Sequence, residues 1–169
     1  MTAIETPRLR LLSLTERQLG LCLHNLPAFE QELGFPFARE VVDTPILRAL
    51  GTKLKKMKLA DPSTHEWHTY WLIVVRQENV GAGLVGFKGF PNETGATEIG
   101  YGIASSYQRK GYMTEAVLGL VDWAFAHPFC KTITAATVKN PASNRLLERI
   151  GAQLVSQNED AFSWSISRV

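Results

Sequence analysis

Residues 97–117, TEIGYGIASSYQRKGYMTEAV, constrain this chain more than any other segment. The pattern predicts a strand ending near Ala104, a short polar turn with two serines, and Gln108-Arg109-Lys110-Gly111-Tyr112-Met113 running into a helix. The first backbone N–H groups of a helix lack intrahelical partners and sit at the positive end of its dipole. Phosphate is the usual occupant of such a position. Gly111 lets the backbone come close to an anion where a β-carbon would obstruct it. Gln108, Arg109 and Lys110 add donors and positive charge around the same spot. Taken alone, the segment is equally compatible with a basic strand-to-helix loop whose glycine serves only the turn.

The flanking sequence supplies a sheet for this turn. Residues 6–12 alternate as a first strand, and Ser13-Leu14-Thr15-Glu16 has the form of a capping box before a helix with Leu19, Cys22, Leu23 and Leu26 on one face. Pro27 limits that helix. Residues 29–42 show no clear period. A second helix starts with Thr44 as cap and Pro45 at its first position; Ile46, Leu47, Leu50, Leu54 and Met57 form its buried side. Lys53, Lys55, Lys56 and Lys58 then read as a solvated face near its carboxyl end. Residues 70–76 and 80–90 read as a hairpin through Gln77-Glu78-Asn79, and Pro91 to Gly95 turns into the strand carrying Glu98. After the basic turn, Val117, Leu120, Val121, Ala124 and Phe125 face a core until His127-Pro128. Residues 131–138 form a fifth strand, parallel to the fourth because a crossover helix joins them. Asn140 caps a last helix that Gly151 ends, and residues 152–157 and 161–167 close the chain as a hairpin.

Length and charge narrow the function. At 169 residues, 1–169 reads as a single domain able to bury its own core. A net charge of +2 is too mild to argue for nucleic acid. Without a long apolar run or a leader-like start, no membrane role is expected and the cytoplasm is the expected compartment. Cys22 and Cys130 lie far apart, as reduced thiols would. His65-Glu66-Trp67-His68 lacks zinc-site spacing and lies where strand character begins, so no metal is expected.

Glu98-Ile99-Gly100-Tyr101, then Tyr107-Gln108-Arg109-Lys110-Gly111-Tyr112, then Thr114-Glu115-Ala116, resemble the acetyl-CoA motif of the GCN5-related N-acetyltransferases (GNAT). The chain is most similar to their ribosomal-protein alanine acetyltransferase branch, the RimJ/RimL-like proteins. Glu5-Thr6-Pro7-Arg8-Leu9-Arg10-Leu11 resembles that branch's first strand. Asn140-Pro141-Ala142-Ser143, with Leu147-Glu148-Arg149-Ile150-Gly151, resembles its last helix. The resemblance implies an α/β (α+β) fold: a twisted, mostly antiparallel sheet of about seven strands, four surrounding helices, and one parallel strand pair forming a wedge for the pantetheine arm. It implies acetyl-CoA contacts at Tyr101, Gly102, Ile103, Gln108, Arg109, Lys110, Gly111, Tyr112, Met113, Thr114, Asn140 and Ser143, and an acceptor pocket lined from the region between the first two helices.

The implied function is an acetyl-CoA-dependent N-acetyltransferase acting on a primary amine by direct attack, without a metal or a covalent enzyme intermediate. The acceptor is either a protein N-terminus or a small molecule. Such a reaction needs a neutral amine, a positioned and polarised carbonyl, and a proton for the departing thiolate. Glu98 is the best-placed carboxylate to accept the amine proton, although a strand carboxylate could instead only bind a cationic acceptor. Ser143 matches a serine able to bond the sulfur, or else bonds within the first helical turn. Three positions depart from the family pattern: Met113 replaces a small residue, Leu147 replaces a tyrosine that would protonate the thiolate, and Ala152 replaces an aromatic. Tyr101, Tyr107 and Tyr112 are the nearby substitutes. A non-catalytic acyl-CoA-binding or regulatory protein of the same fold is the alternative. A homodimer is one option for its assembly.

Overall fold

A computed structural model describes residues 1–168. Eight strands form one sheet: β1 (Ala3–Glu5), β2 (Leu9–Ser13), β3 (Tyr70–Val75), β4 (Val80–Phe87), β5 (Ala96–Ile103), β6 (Thr132–Val138), β7 (Gln153–Asn158) and β8 (Ala161–Ser167). Their order across the sheet is β1-β2-β3-β4-β5-β6-β8-β7. The β5–β6 pair is parallel and every other named pair is antiparallel. The helices are α1 (Glu16–His24), α2 (Leu26–Leu33), α3 (Thr44–Leu59), α4 (Tyr112–Phe125) and α5 (Pro141–Arg149). Short 3-10 turns lie at Arg39–Val41, Pro62–Trp67 and Ser105–Tyr107.

Side-chain alternation along β3 divides the core in two. Trp71, Ile73 and Val75 pack with Ala116, Val117, Leu120 and Val121 of α4. Tyr70, Leu72 and Val74 pack with Leu19, Cys22, Phe29, Ile46 and Leu50 from α1, α2 and α3. A sheet covered on both faces needs no polar alternation, which is why Tyr70–Val75 is buried at every position. The strands approach closely: a β-carbon on Gly83 would stand 2.5 Å from the Gly102 carbonyl oxygen of β5.

Several expectations are corrected. The sheet has eight strands rather than about seven: the strand read at residues 6–12 is β2, beginning only at Leu9, and an edge strand, β1, precedes it across the Thr6-Pro7-Arg8 turn. There are five α-helices rather than four. Pro27 does not end a helix but sits in the first turn of α2, where its missing N–H costs nothing, and Asn25 accepts from Ala28 N at 3.2 Å as the cap. The α1 capping box is Thr15 with Gln18, and the α3 cap is Asp43 rather than Thr44. The strand read at residues 80–90, β4, begins at Val80 but stops at Phe87. His65 and Trp67 lie on a 3-10 turn, not at a strand start. Leu47 is 41% exposed. Lys53 is not on the solvated face: it is only 6% exposed, three residues on from Leu50 and four before Met57 on the buried side of α3. Its Nζ donates to the Phe87 carbonyl at 2.6 Å and stands 4.5 Å over the Tyr70 ring.

Burial, then the like charges of Lys56 and Lys88, push the Lys53 ammonium from 10.5 down to about 7. Between those values the unfolded chain holds a proton that the folded chain releases, so this group makes stability rise with pH across that window and leaves it flat below. Denaturant unfolding of Lys53→Met beside the parent will show the parent gaining on the variant from about pH 7 to about pH 10. A constant difference would contradict the burial of this charge. Gly83→Ala will cost about 1–3 kcal/mol, because the backbone oxygen it meets cannot turn aside.

Candidate active site

The site begins where the parallel ladder stops. β5 and β6 pair through Ala96↔Thr132, Thr97↔Ile133 and Glu98↔Thr134 and no further. On its other side β5 stays paired with β4 through Gly83↔Ile103, so only one edge of residues 99–103 is released. β6 is drawn away: its ladder with β8 slips between Ala135 and Val138, where Thr137, a β-branched residue, holds φ of 53°. Its N–H donates to the Ser163 hydroxyl at 3.0 Å. The opening is part of a cleft of about 800 Å³ whose walls include Ile46, Tyr101, Gly102, Tyr107, Met113, Asn140, Ser143 and Leu146.

The amino-terminal turn of α4 lies at one end of this cleft. Gly111 is its cap residue, with φ of 79°, and no side chain caps the helix. Arg109 also has positive φ, 63°, so the turn is wound tightly before the helix begins. Met113 packs against the core, consistent with a side chain that turns inward while its N–H stays at the helix end. Gln108 is partly committed, since its Nε2 donates to the Ile103 carbonyl at 3.3 Å. Lys110 Nζ lies 5.7 Å from the Tyr107 ring centre.

Arg8, whose role was not legible from sequence, holds the turn from behind. Its Nη1 donates to the Lys110 carbonyl at 2.7 Å, its Nε pairs with Glu115 at 3.2 Å, and its guanidinium lies 4.5 Å from the Tyr112 ring centre. Thr6 Oγ1 donates to the same Glu115 carboxylate at 3.0 Å. This explains why the Thr6-Pro7-Arg8 sequence accompanies the basic turn: more than a hundred residues away in sequence, it is the turn's support. A second hollow, about 480 Å³, lies beside Arg8, Arg10, Arg76 and Tyr112, behind the turn.

The two sides of β5 carry different groups. Ile99 belongs to the α4 core, so Glu98 and Gly102 face α3, and a β-carbon on Gly102 would stand 3.3 Å from Ile46. Glu98 is half-buried and accepts from Lys88 Nζ at 2.5 Å. Tyr101 projects to the other face, where burial raises its phenol pKa and a hydrogen-bonding contact with Ser143 offsets part of the rise. Asn140 Oδ1 accepts from Ala142 N at 2.8 Å and Ser143 N at 3.3 Å. Asn144 anchors α5 by donating to the Val138 carbonyl and accepting from Trp164 Nε1. Leu147 is fully buried in the core and does not reach the cleft. Asp43, Arg145 and Arg149 also line the cleft, unremarked in the sequence because helix-face charges give no local signal of facing a cavity.

Thus the candidate residues Tyr101, Gly102, Ile103, Gln108, Arg109, Gly111, Tyr112, Met113, Thr114, Asn140 and Ser143 come together around one cleft. Lys110 stays beside it, its carbonyl taken by Arg8, and Glu98 stands where the β5–β6 pairing ends. Among the described residues, no cluster of three or more His, Cys, Asp or Glu could hold a metal, and no helix is long and apolar enough to cross a membrane. His65 Nε2 contacts the Met57 carbonyl at 2.7 Å.

Comparison with known proteins places this geometry. The chain is 28% identical to the N-acetyltransferase YjdG of Bacillus subtilis strain 168, itself uncharacterised, across 97% of each chain. Its fold matches the ribosomal-protein-S5-alanine acetyltransferase of Vibrio fischeri, with a TM-score of 0.69, 20% identity, and 99% and 97% of the two chains covered. It also matches RimL, the ribosomal L7/L12 alpha-N-protein acetyltransferase, in a complex with coenzyme A, with a TM-score of 0.68, 16% identity and 98% of each chain covered. A third match is MccE, the microcin C7 self-immunity acetyltransferase bound to acetyl-CoA and AMP, with a TM-score of 0.64, 15% identity, and 96% and 94% covered. At these identities the structural matches speak for the fold. The model of the Acetyltransferase (GNAT) domain matches residues 8–153, from the arginine that supports the turn to the first residue of β7, and the chain belongs to that acetyltransferase family.

Proposed function

We propose that this protein, as a single domain, transfers the acetyl group of acetyl-CoA to a primary amine by direct attack. The observation that carries the reading is the uncapped start of α4 at one end of a cleft that opens onto the released edge of β5. The residues fit the ligand's chemistry. The N–H groups of Gly111, Tyr112, Met113 and Thr114 suit a pyrophosphate, with Gln108, Arg109 and Lys110 adding donors and charge. The β5 edge at Tyr101, Gly102 and Ile103 suits the amides of a pantetheine arm, as an added strand would be held. Asn140 and Ser143 meet that arm from α5.

Bound acetyl-CoA supplies an acetyl thioester. Glu98, directly or through water, takes the proton released as the amine nitrogen bonds the carbonyl carbon. Ser143 hydrogen-bonds the sulfur as the carbon–sulfur bond breaks and relays to it a proton from Tyr101, which shares the cleft and recovers a proton from solvent, leaving an amide and a free thiol. Tyr101 and Ser143 would thus fill the role vacated at Leu147. The acceptor is a protein N-terminus, as the names of RimL and the S5-alanine enzyme describe for those proteins, or a small amine. A non-catalytic acyl-CoA-binding role is favoured only by the buried Leu147 and by the engagement of Glu98 with Lys88.

Calorimetric titration with acetyl-CoA tests the first half of this reading. The parent will bind, and Gly111→Asp, folded by circular dichroism, will lose binding. Its β-carbon would stand 3.2 Å from the Arg8 guanidinium behind the turn rather than obstruct the anion in front, but it adds strain at a positive φ, displaces that support and brings negative charge to the helix start. No binding by the folded parent would remove the reading. Arg8→Ala will weaken acetyl-CoA about tenfold by freeing the Lys110 carbonyl and Glu115, with partial rescue by Arg8→Lys. Equal affinity would show that the turn holds itself. Glu98→Gln will lower the rate of thiol release about 100-fold at unchanged acetyl-CoA affinity. A parent that binds acetyl-CoA and releases no thiol with any amine would favour the non-catalytic role.

A further inference from the structure

The face of the sheet that carries Glu98 also gathers cations from α3. Lys53 is buried there against the Phe87 carbonyl. Lys56 Nζ donates to the Lys88 carbonyl at 2.7 Å. Lys88 crosses the face, its Cε 3.9 Å from where a β-carbon on Gly100 would stand, before its Nζ meets Glu98. His68 borders the group at Gly89, its Nδ1 buried without a hydrogen-bond partner. The charges that bear on Lys53 are those of Lys56 and Lys88; those that bear on His68 are Lys56, His65 and Lys53. Glu98 pairs with Lys88 alone, and Lys53 is already held down to about 7, so the positive charge left without a carboxylate partner among the described residues is that of Lys56, beside Lys88.

A solvated helix face does not account for this arrangement. Lys53 points inward, and two of the lysines are tethered to successive carbonyls at the end of β4, which holds like charges together that solvent would let spread. The cluster lies toward the amino end of β5, while the α4 turn follows that strand's carboxyl end. An anion seated here would be far from the phosphate end and next to the proposed proton acceptor.

We propose that this cluster is an anion subsite for the acceptor, so that the preferred substrate is an amine that also carries a carboxylate. The carboxylate takes Lys88, with Lys56 beside it, and Glu98 is left facing the amine. The ion pair seen between Lys88 and Glu98 is then the resting state of the site, and the acidic substrate exchanges one partner for another. The proposal rests on acetyl transfer at this wedge.

Two matched pairs test it: a peptide starting Ser-Asp-Glu against its Ser-Asn-Gln isostere, and glutamate against glutamine. Their N-acetylated forms are titrated into the protein loaded with coenzyme A, and the free amines are assayed by thiol release from acetyl-CoA. The acidic member of at least one pair will bind and react about tenfold better than its amide, and the pair that responds identifies a peptide or a small-molecule acceptor. The exposed-residue double variant Lys56→Gln/Lys88→Gln will bring that ratio close to one while acetyl-CoA affinity is retained. Equal or better performance by the amides, an unchanged ratio in the double variant, or no binding of either acidic product would overturn the proposal. Loss of acetyl-CoA binding by the parent would instead count against the transfer reaction itself.

Discussion

The early end of one ladder is the constraint on which the site depends. β5 is held by β4 from Ile99 to Ile103 and by β6 only over its first three residues, Ala96 to Glu98. A strand released on both sides would fray, but one anchored on a single side keeps its pleat and offers a straight row of unsatisfied backbone groups. The divergence is built into β6, where the strained Thr137 and the slipped register with β8 bend the strand away from β5. The same splay gives both faces of the sheet access to one point, so that groups on the α3 side and on the α5 side can meet.

The two ends of the wedge are stabilised by different physics. At the carboxyl end of β5, a helix terminus and backbone donors make a site for negative charge, and the Arg8–Glu115 pair fixes that terminus without placing a side chain in front of it. Glu115 would by itself repel phosphate from the first turn of α4; its pairing with Arg8 and its bond from Thr6 hold that charge behind the turn. At the amino end, lysine side chains rather than backbone dipoles supply the field, and Glu98 pairs with one of them, Lys88. The two ends of β5 thus gather positive charge for separate reasons, the α4 turn lining the cleft and the lysines lying beyond its lining.

Much of this was legible in the sequence where the signal was local. The run from Thr97 to the start of α4 carried its strand, its turn and its helix in consecutive residues, and Asn140-Pro141 announced α5 by cap chemistry. Local signals also misled by a residue or two, as with Asp43 for Thr44 and Thr15 for Ser13, because neighbouring polar residues compete for one capping position. The short edge strand β1 before residues 6–12 and the inward turn of Lys53 were not legible. A helix wheel ranks residues by polarity, and a lysine on the apolar side of α3 is understood only when the Phe87 carbonyl that receives it is in place.

Sequence alone determined that a strand feeds a glycine-bearing basic turn and a helix, and that a crossover returns the chain parallel to that strand, because dipoles, caps and handedness act over a few residues. The tertiary structure decided where β5 and β6 part, that Arg8 supports the turn, that Tyr101 and Ser143 line one cleft while Leu147 is buried, and that Lys88 occupies Glu98. Each of these depends on contacts between distant segments, whose geometry is set by packing across the whole sheet and leaves no periodic trace in the residues themselves.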